Sequence, residues 1–329
     1  MRPGMGIIAL ALAIAACGRP ENAQKANVRF LASEDAAVKG GAVGNDGSDV
    51  QRLDLLAFRS SDGMIDSYAS SHGSTLAAEV TAGCPLEWFM VANAPEGMFD
   101  GIVHKEEFMA LRTTLSHSAS GTLVMHGEGT GIFGAGGASV PVLLSRYASK
   151  VSIGRIAVTW LEDFAVTPGC TLETIALINA RGDMPMSGIQ SENGLWYNCS
   201  SVDSGLPVTV APCLISSPGL PIGGAAPVSI GTELYAMPNP STSQDDANVQ
   251  PWSPRQTRIA IGLRIDGVLQ WYRIDLPAMQ GNTHYRIENV YITGPGASVP
   301  DLGTDRVNLD FSVALRPWGS ETSNVDFGY

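Results

Sequence analysis

Basic residues are scarce. The chain has 20 lysines and arginines against 32 aspartates and glutamates, so its formal net charge is −12 at pH 7. So acidic a chain repels phosphate backbones and no basic stripe offsets the field, which argues against nucleic acid as a partner. Charge of either sign is thin, at 16% of residues, and aromatics make up only 7%. After the N-terminus no apolar run is long enough to span a bilayer. The histidines, His72, His104, His117, His126 and His284, are scattered without metal-ligand spacing, so no metal site is expected. No serine sits in a nucleophile-elbow pattern and no cofactor motif survives inspection, so the chain reads as a non-enzyme. Gly129-Thr130-Gly131-Ile132-Phe133-Gly134 matches the dinucleotide fingerprint by letters. That fingerprint needs a helix after its glycines, whereas Val140, Val142 and Leu144 alternate as a strand, so the glycines read as a hairpin loop.

What the sequence does have is turn chemistry. Its 37 glycines and 20 prolines, with many serines and threonines, point to an all-β chain with many connections. A length of 329 residues suggests about two domains. Such a chain buries roughly three quarters of its unfolded surface and can build a core without metals or disulfides.

Arg2 followed by the apolar run Ile7 to Ile14 has the form of a signal-peptide core. Ile14-Ala15-Ala16-Cys17 resembles a bacterial lipobox, so residues 1–17 are expected to be a lipoprotein signal and Cys17 the acylated residue. Acyl chains there would hold the protein to outer-membrane lipid without a spanning helix. In an oxidising compartment Cys84, Cys170, Cys199 and Cys213 allow three full pairings. Cys199 and Cys213 could staple a loop, and buried thiols fit equally well.

Residues 18–48 read as a small, polar tether interrupted by one short strand near Val28 to Ala32. Asp49 to Arg59 and Glu87 to Asn93 are apolar enough for inner strands. Lys105 to Leu115 carries Phe108, Leu111 and Leu115 at helical spacing and predicts the one helix. Ser139 to Tyr147 and Lys150 to Trp160 are long strands, with a domain boundary between them, giving units 49–149 and 150–329. Arg258 to Asp266 alternates and returns through Tyr272, Ile274 and Leu276 as a hairpin. Val307, Leu309, Phe311, Val313 and Leu315 alternate against polar neighbours, and Trp318, Val325, Phe327 and Tyr329 are apolar points in a polar tail. The order of elements fits two β-sandwiches in tandem. Arg181-Gly182-Asp183 is the integrin-type tripeptide and offers a separate adhesive reading. The sequon Asn198-Cys199-Ser200 carries no weight in a bacterial export pathway.

Several pieces together resemble one family, the fimbrillin-like subunits of type V pili of anaerobic Gram-negative bacteria. They are Tyr285 to Gly296 (YRIENVYITGPG) with Pro300-Asp301 and Trp318, then Leu53 to Phe58, Met90 to Asn93, Leu144 to Val151, Met184 to Gly188 and Tyr235 to Pro240. The resemblance implies two transthyretin-like β-sandwich domains, with one short helix in the first. It also implies export as a lipoprotein, an extracellular fimbrium as destination, and proteolytic removal of an N-terminal strand. Other copies or related pilus subunits would be the partners, with a host or bacterial surface ligand as a further one.

Removing a strand leaves an unpaired edge over an apolar floor, which predisposes the sheet to accept a new strand. A neighbour's C-terminal segment, somewhere within Val307 to Tyr329, can fill it by β-augmentation. Five apolar side chains at roughly 1.5–3 kcal/mol each would contribute on the order of 10 kcal/mol. The candidate processing points are Lys39 and Arg29. The family's best-known protease cuts after arginine, whereas the matching loop here offers a lysine. Two other readings stay open: a non-polymerising pilus anchor or tip, of which an uncut basal anchor would keep its lipid, and a lipid-anchored glycan binder presenting Trp196, Tyr197, Trp252 and Trp271 on one platform.

Overall fold

The computed structural model describes residues 24–34, 50–118, 122–163, 169–188, 194–199, 201, 205–223, 225–242, 255–300, 309–317 and 326–327, and every count below refers to these. The fold is all-β. Strands β1 (Lys25–Glu34), β2 (Arg52–Arg59), β3 (Ile65–His72), β4 (Thr75–Thr81) and β5 (Pro85–Ala92) come first. Helix α1 (Lys105–Ala110), β6 (Arg112–Thr114), β7 (Met125–Ile132) and β8 (Ala138–Arg146) complete the first half.

Seven of these strands form one sheet in the order β3-β2-β5-β7-β8-β1-β4. Its terminal strands β3 and β4 lie against each other, so the sheet curls over its own core. That core is Val28, Phe30, Leu53, Leu55, Leu76, Val80, Leu86, Trp88, Met90, Val142 and their neighbours. The opposite face of β2 and β5 packs Leu56, Phe58, Phe89 and Val91 under Phe108 of α1, in a core continuous with that of the second half.

The second half contains β9 (Ser149–Val158), β10 (Cys170–Ile178), β11 (Ala180–Arg181), β12 (Asp183–Pro185) and β13 (Trp196–Tyr197). A four-residue helix, α2 (Ala211–Leu214), leads to β14 (Ile215–Ser216), β15 (Leu220–Pro221) and β16 (Val228–Ala236). Then come β17 (Arg258–Ile265), β18 (Val268–Asp275), β19 (Thr283–Ile292), β20 (Leu309–Pro317) and β21 (Asp326–Phe327). One sheet runs β14-β10-β17-β18, with β15 also on β10, and the other runs β16-β9-β19-β20-β21. Ile175 and Ile261 from the first meet Ile153 and Ile287 from the second in a shared interior.

Three expectations change on contact with tertiary structure. The helix over Lys105 to Leu115 stops at Ala110, and Leu111 is already extended at φ −62 and ψ 152. The chain leaves it to pair β6 with β12 of the second half, a ladder that local helical spacing could not announce. The glycines expected in a hairpin loop lie within β7, which runs on to Ile132. A Cβ on Gly129 would sit 2.3 Å from the Trp88 ring, and one on Gly127 would sit 2.6 Å from the Leu143 carbonyl oxygen. The glycines therefore make room for a bulky neighbour within a strand. Finally, a second helical turn, α2, buries Cys213 and Leu214 in a stretch without helical spacing of its apolar residues.

Candidate functional site

The feature with the most bearing on function is the seat of β1. The strand comes from the far N-terminal side of the described chain, yet it lies inside the sheet. It pairs antiparallel with β4, from Lys25 opposite Thr81 to Leu31 opposite Thr75. It also pairs parallel with β8, from Val28 beside Ala138 to Glu34 beside Leu144. The period-two pattern explains the fit: Ala26, Val28 and Phe30 point inward at 0%, 1% and 0% exposure, while Lys25, Asn27 and Arg29 face solvent.

Phe30 anchors the seat. Its ring meets Trp88 edge-on at 5.4 Å and Phe133 at 6.4 Å. Gly137, at φ +78, passes so near that a Cβ there would lie 2.4 Å from the Asn27 carbonyl oxygen. Both features serve a strand in this place. Without β1, β8 and β4 would each present an unpaired edge, above a floor of Leu76, Val80, Trp88 and Val142. Ala26, Val28 and Phe30 are buried, and Ala32 packs partly buried beside them. Val28 and Phe30 are each worth about 1.5–3 kcal/mol on burial, and Ala26 less.

The sequence named Arg29 and Lys39 as processing candidates. Arg29 lies within β1 with its backbone paired to both Ala77 and Ser139. Lys39 and the acylation candidate Cys17 fall outside the described residues.

Of the candidate donor residues, Leu309, Phe311, Val313 and Leu315 lie on β20, against their own sandwich. Leu309 and Val313 are buried at 7% and 2%, and Phe311 and Leu315 pack beside them. β20 pairs antiparallel with β19 from Leu309 opposite Ile292 to Pro317 opposite Thr283. Among the described residues β21 pairs Phe327 opposite Val313 and Asp326 opposite Ala314. It stands last in the order of that sheet. Val307, Val325 and Tyr329 lie outside the described residues, as does the side chain of Phe327.

Other candidates resolve differently. Arg181 and Asp183 of the integrin-type tripeptide are 1% and 7% exposed. Asp183 binds Arg112 across the β6–β12 junction and accepts the Leu195 amide at 2.9 Å. Arg181 donates to the Asp183 carbonyl at 3.0 Å and lies 5.7 Å from the Trp196 ring. Burial pushes the Arg181 guanidinium below its ordinary range, although Asp183 pulls the other way. These three letters hold the two halves together, so the adhesive reading loses its accessible side chains.

Cys84, Cys170 and Cys213 are buried thiols and Cys199 is partly exposed, so the staple between Cys199 and Cys213 does not form. Trp196 lies on β13 and Trp271 on β18, in different sheets, and Tyr197 is buried; Trp252 lies outside the described residues. Among the described residues the glycan platform is therefore not assembled.

No family model matches the sequence, and no curated protein matches it. Solved structures do. A candidate cell adhesion protein from Parabacteroides distasonis superposes with a TM-score of 0.65 at 15% identity, covering 93% of this chain and 100% of that one. A fimbrilin from Porphyromonas gingivalis gives 0.61 at 15% identity, covering 90% and 98%. A tip fimbrial protein from Porphyromonas gingivalis, with a C-terminal truncation, gives 0.54 at 16% identity, covering 89% and 100%. The chain has the fold of these fimbrilin-like proteins along nearly its whole length.

Proposed function

We propose that this chain is a structural subunit of a surface fimbrium that polymerises by strand exchange. In this reading it is exported as a lipoprotein acylated at Cys17 and cut near Lys39. The freed β1 then gives way to a segment from within Val307–Tyr329 of the next copy. The single observation that carries the reading is the seat of β1, paired on both sides and apolar on one face. Losing that strand would create two open edges at once, and open edges recruit strands. The fold shared with a fimbrilin and with cell adhesion proteins supports the same role, and a non-enzymatic one.

Lys39 is the better processing point. A protease binds its substrate as an unpaired extended segment, and the Arg29 backbone is engaged on both sides. The donated contact runs head to tail and does not close on itself, so repetition grows a filament. A second reading, a tip or basal subunit that keeps β1, is favoured by the likeness to a tip fimbrial protein.

The test is limited trypsin treatment followed by electrophoresis without boiling. A stalk subunit gives a ladder of heat-labile multimers that disappears when residues from Val307 onward are truncated. Monomer throughout favours the tip or anchor reading.

A further inference from the structure

The two walls of the β1 seat are held differently. β8 keeps a ladder of its own, since Met125 pairs with Arg146 and His126 with Ser145. Among the described residues β4 pairs only with β1, and the sheet order ends there. β3 leads into β4 through Gly73 and Ser74 and runs beside it, yet it stands at the opposite end of that order. The two strands therefore meet at a seam that has no backbone ladder.

Side chains close this seam at both ends. The Asp66 carboxylate on β3 accepts the Thr81 amide at 2.7 Å with one oxygen and the Thr81 hydroxyl at 2.6 Å with the other. Near the turn, the Ser71 hydroxyl donates to the Thr75 carbonyl at 2.8 Å. Thr75 and Thr81 are the first and last residues of β4, and they lie opposite Leu31 and Lys25 of β1. The same two residues thus belong both to the β1 ladder and to the seam. Hydrogen bonds to a carboxylate are roughly twice as strong as neutral ones, so Asp66 is the firmer of the two ties. Between them β4 sends Leu76, Ala78 and Val80 into the core that holds Val28 and Phe30.

We infer that Asp66 and Ser71 are positioning residues that keep β4 in place as a wall of the seat while β1 is absent. This rests on the reading that β1 leaves. With β1 seated, the ladder from Lys25 opposite Thr81 to Leu31 opposite Thr75 fixes β4, and the seam bonds add little to its position. Without β1, β4 loses its backbone partner and the part of its core supplied by Val28 and Phe30. The seam bonds then tie it to the rest of the sheet. Were β4 to swing out, an entering strand would find the β8 edge alone, and main-chain pairing on both sides would be lost.

The test compares full-length protein with its Asp66→Ala/Ser71→Ala variant. Both are nicked with trypsin, and the β1 fragment is stripped in urea below the unfolding midpoint, removed by gel filtration and its loss verified by mass. Hydrogen exchange is read over Thr75–Thr81, and a labelled synthetic peptide of Lys25–Glu34 reports whether the seat still binds a strand. The stripped unsubstituted protein is expected to keep β4 protected and to bind the peptide. In the stripped variant β4 should exchange at least about tenfold faster, the scale of losing a hydrogen bond to a charged group, with weaker peptide binding. Before stripping, β4 exchange should differ little between the two proteins. Asp66→Asn keeps an oxygen acceptor for the Thr81 amide and should fall between them. Equal protection of β4 in the two stripped proteins, or β4 already unprotected in the stripped unsubstituted one, overturns the role of the seam and leaves strand exchange standing. Equal acceleration before and after stripping also overturns it, because the bonds then serve general stability. A β1 fragment that cannot be stripped short of global unfolding overturns both.

Discussion

Phe30 of β1 meets Trp88 of β5 edge to face, with ring centroids 5.4 Å apart and planes inclined by 65°. Trp88 can lie there because Gly129, opposite it on β7, has no side chain. The N-terminal strand and a glycine-rich stretch are thus parts of one packing arrangement. Edge-to-face pairs are worth about 0.5–1.5 kcal/mol beyond the area they bury.

Two substitutions separate these contributions. Phe30→Ala should destabilise the fold by about 3–5 kcal/mol through the cavity it leaves. Gly129→Ala should cost about 1–3 kcal/mol by overpacking, because Trp88 has to move. Urea titration checks both. If Phe30→Ala is nearly neutral, Phe30 is not the anchor of β1.

Proteolysis should respect the ladders. Trypsin is expected to cut at Lys39 well before Arg29, whose backbone is paired with both Ala77 and Ser139. Peptide masses over a digestion time course read the order. Lys39→Gln should leave β1 attached to the rest of the chain. Early cleavage at Arg29 would mean that β1 leaves its seat spontaneously.

The junction between the halves depends on a buried charge. Asp183 serves Arg112 of β6 and the Leu195 amide, while Arg181 lies beside it at 1% exposure. Asp183→Ala leaves both arginines without that counter-charge and should cost about 3 kcal/mol, the scale for breaking a buried pair. Thermal or urea unfolding checks it. A soluble arginine-glycine-aspartate peptide should not compete with any adhesion by this protein, since its own tripeptide is enclosed.

The thiols give a pH-dependent readout. Burial pushes Cys170 and Cys213 each up to about 11, which disfavours the thiolate. In the native protein at pH 8 a thiolate-specific reagent should label Cys199 before Cys84, Cys170 and Cys213, because among the described cysteines it alone is partly exposed. Cys170 and Cys213 should label only after denaturation or as pH approaches their raised values. Rapid native labelling at Cys213 would mean that α2 opens readily.

Much of this was legible from the chain. The alternation in Leu309 to Leu315 marks a strand because Leu309 and Val313 are buried while Asp310 and Ser312 face outward. Arg258 to Ile265 alternates in sequence too and is a strand, although both of its faces are buried. What alternation cannot report is the partner. The parallel pairing of β1 with β8 and the β6–β12 ladder join segments far apart in sequence, so Val28 to Ala32 looked like a loose strand and Arg112 to Leu115 like the end of a helix. Glycines carry no pattern of their own; only Trp88 explains Gly129. Arg181-Gly182-Asp183 misled for a similar reason, because three polar letters do not disclose that they are enclosed.

The central claim is that β1 is a replaceable strand, and the most direct measurement is where its fragment goes. Full-length protein is nicked with trypsin, monomer and multimer are separated without boiling, and each is analysed by mass spectrometry for the peptide containing Val28 to Ser33. The account predicts that the nicked monomer retains this fragment and the multimers have lost it. Multimers that keep the fragment in stoichiometric amount would contradict it.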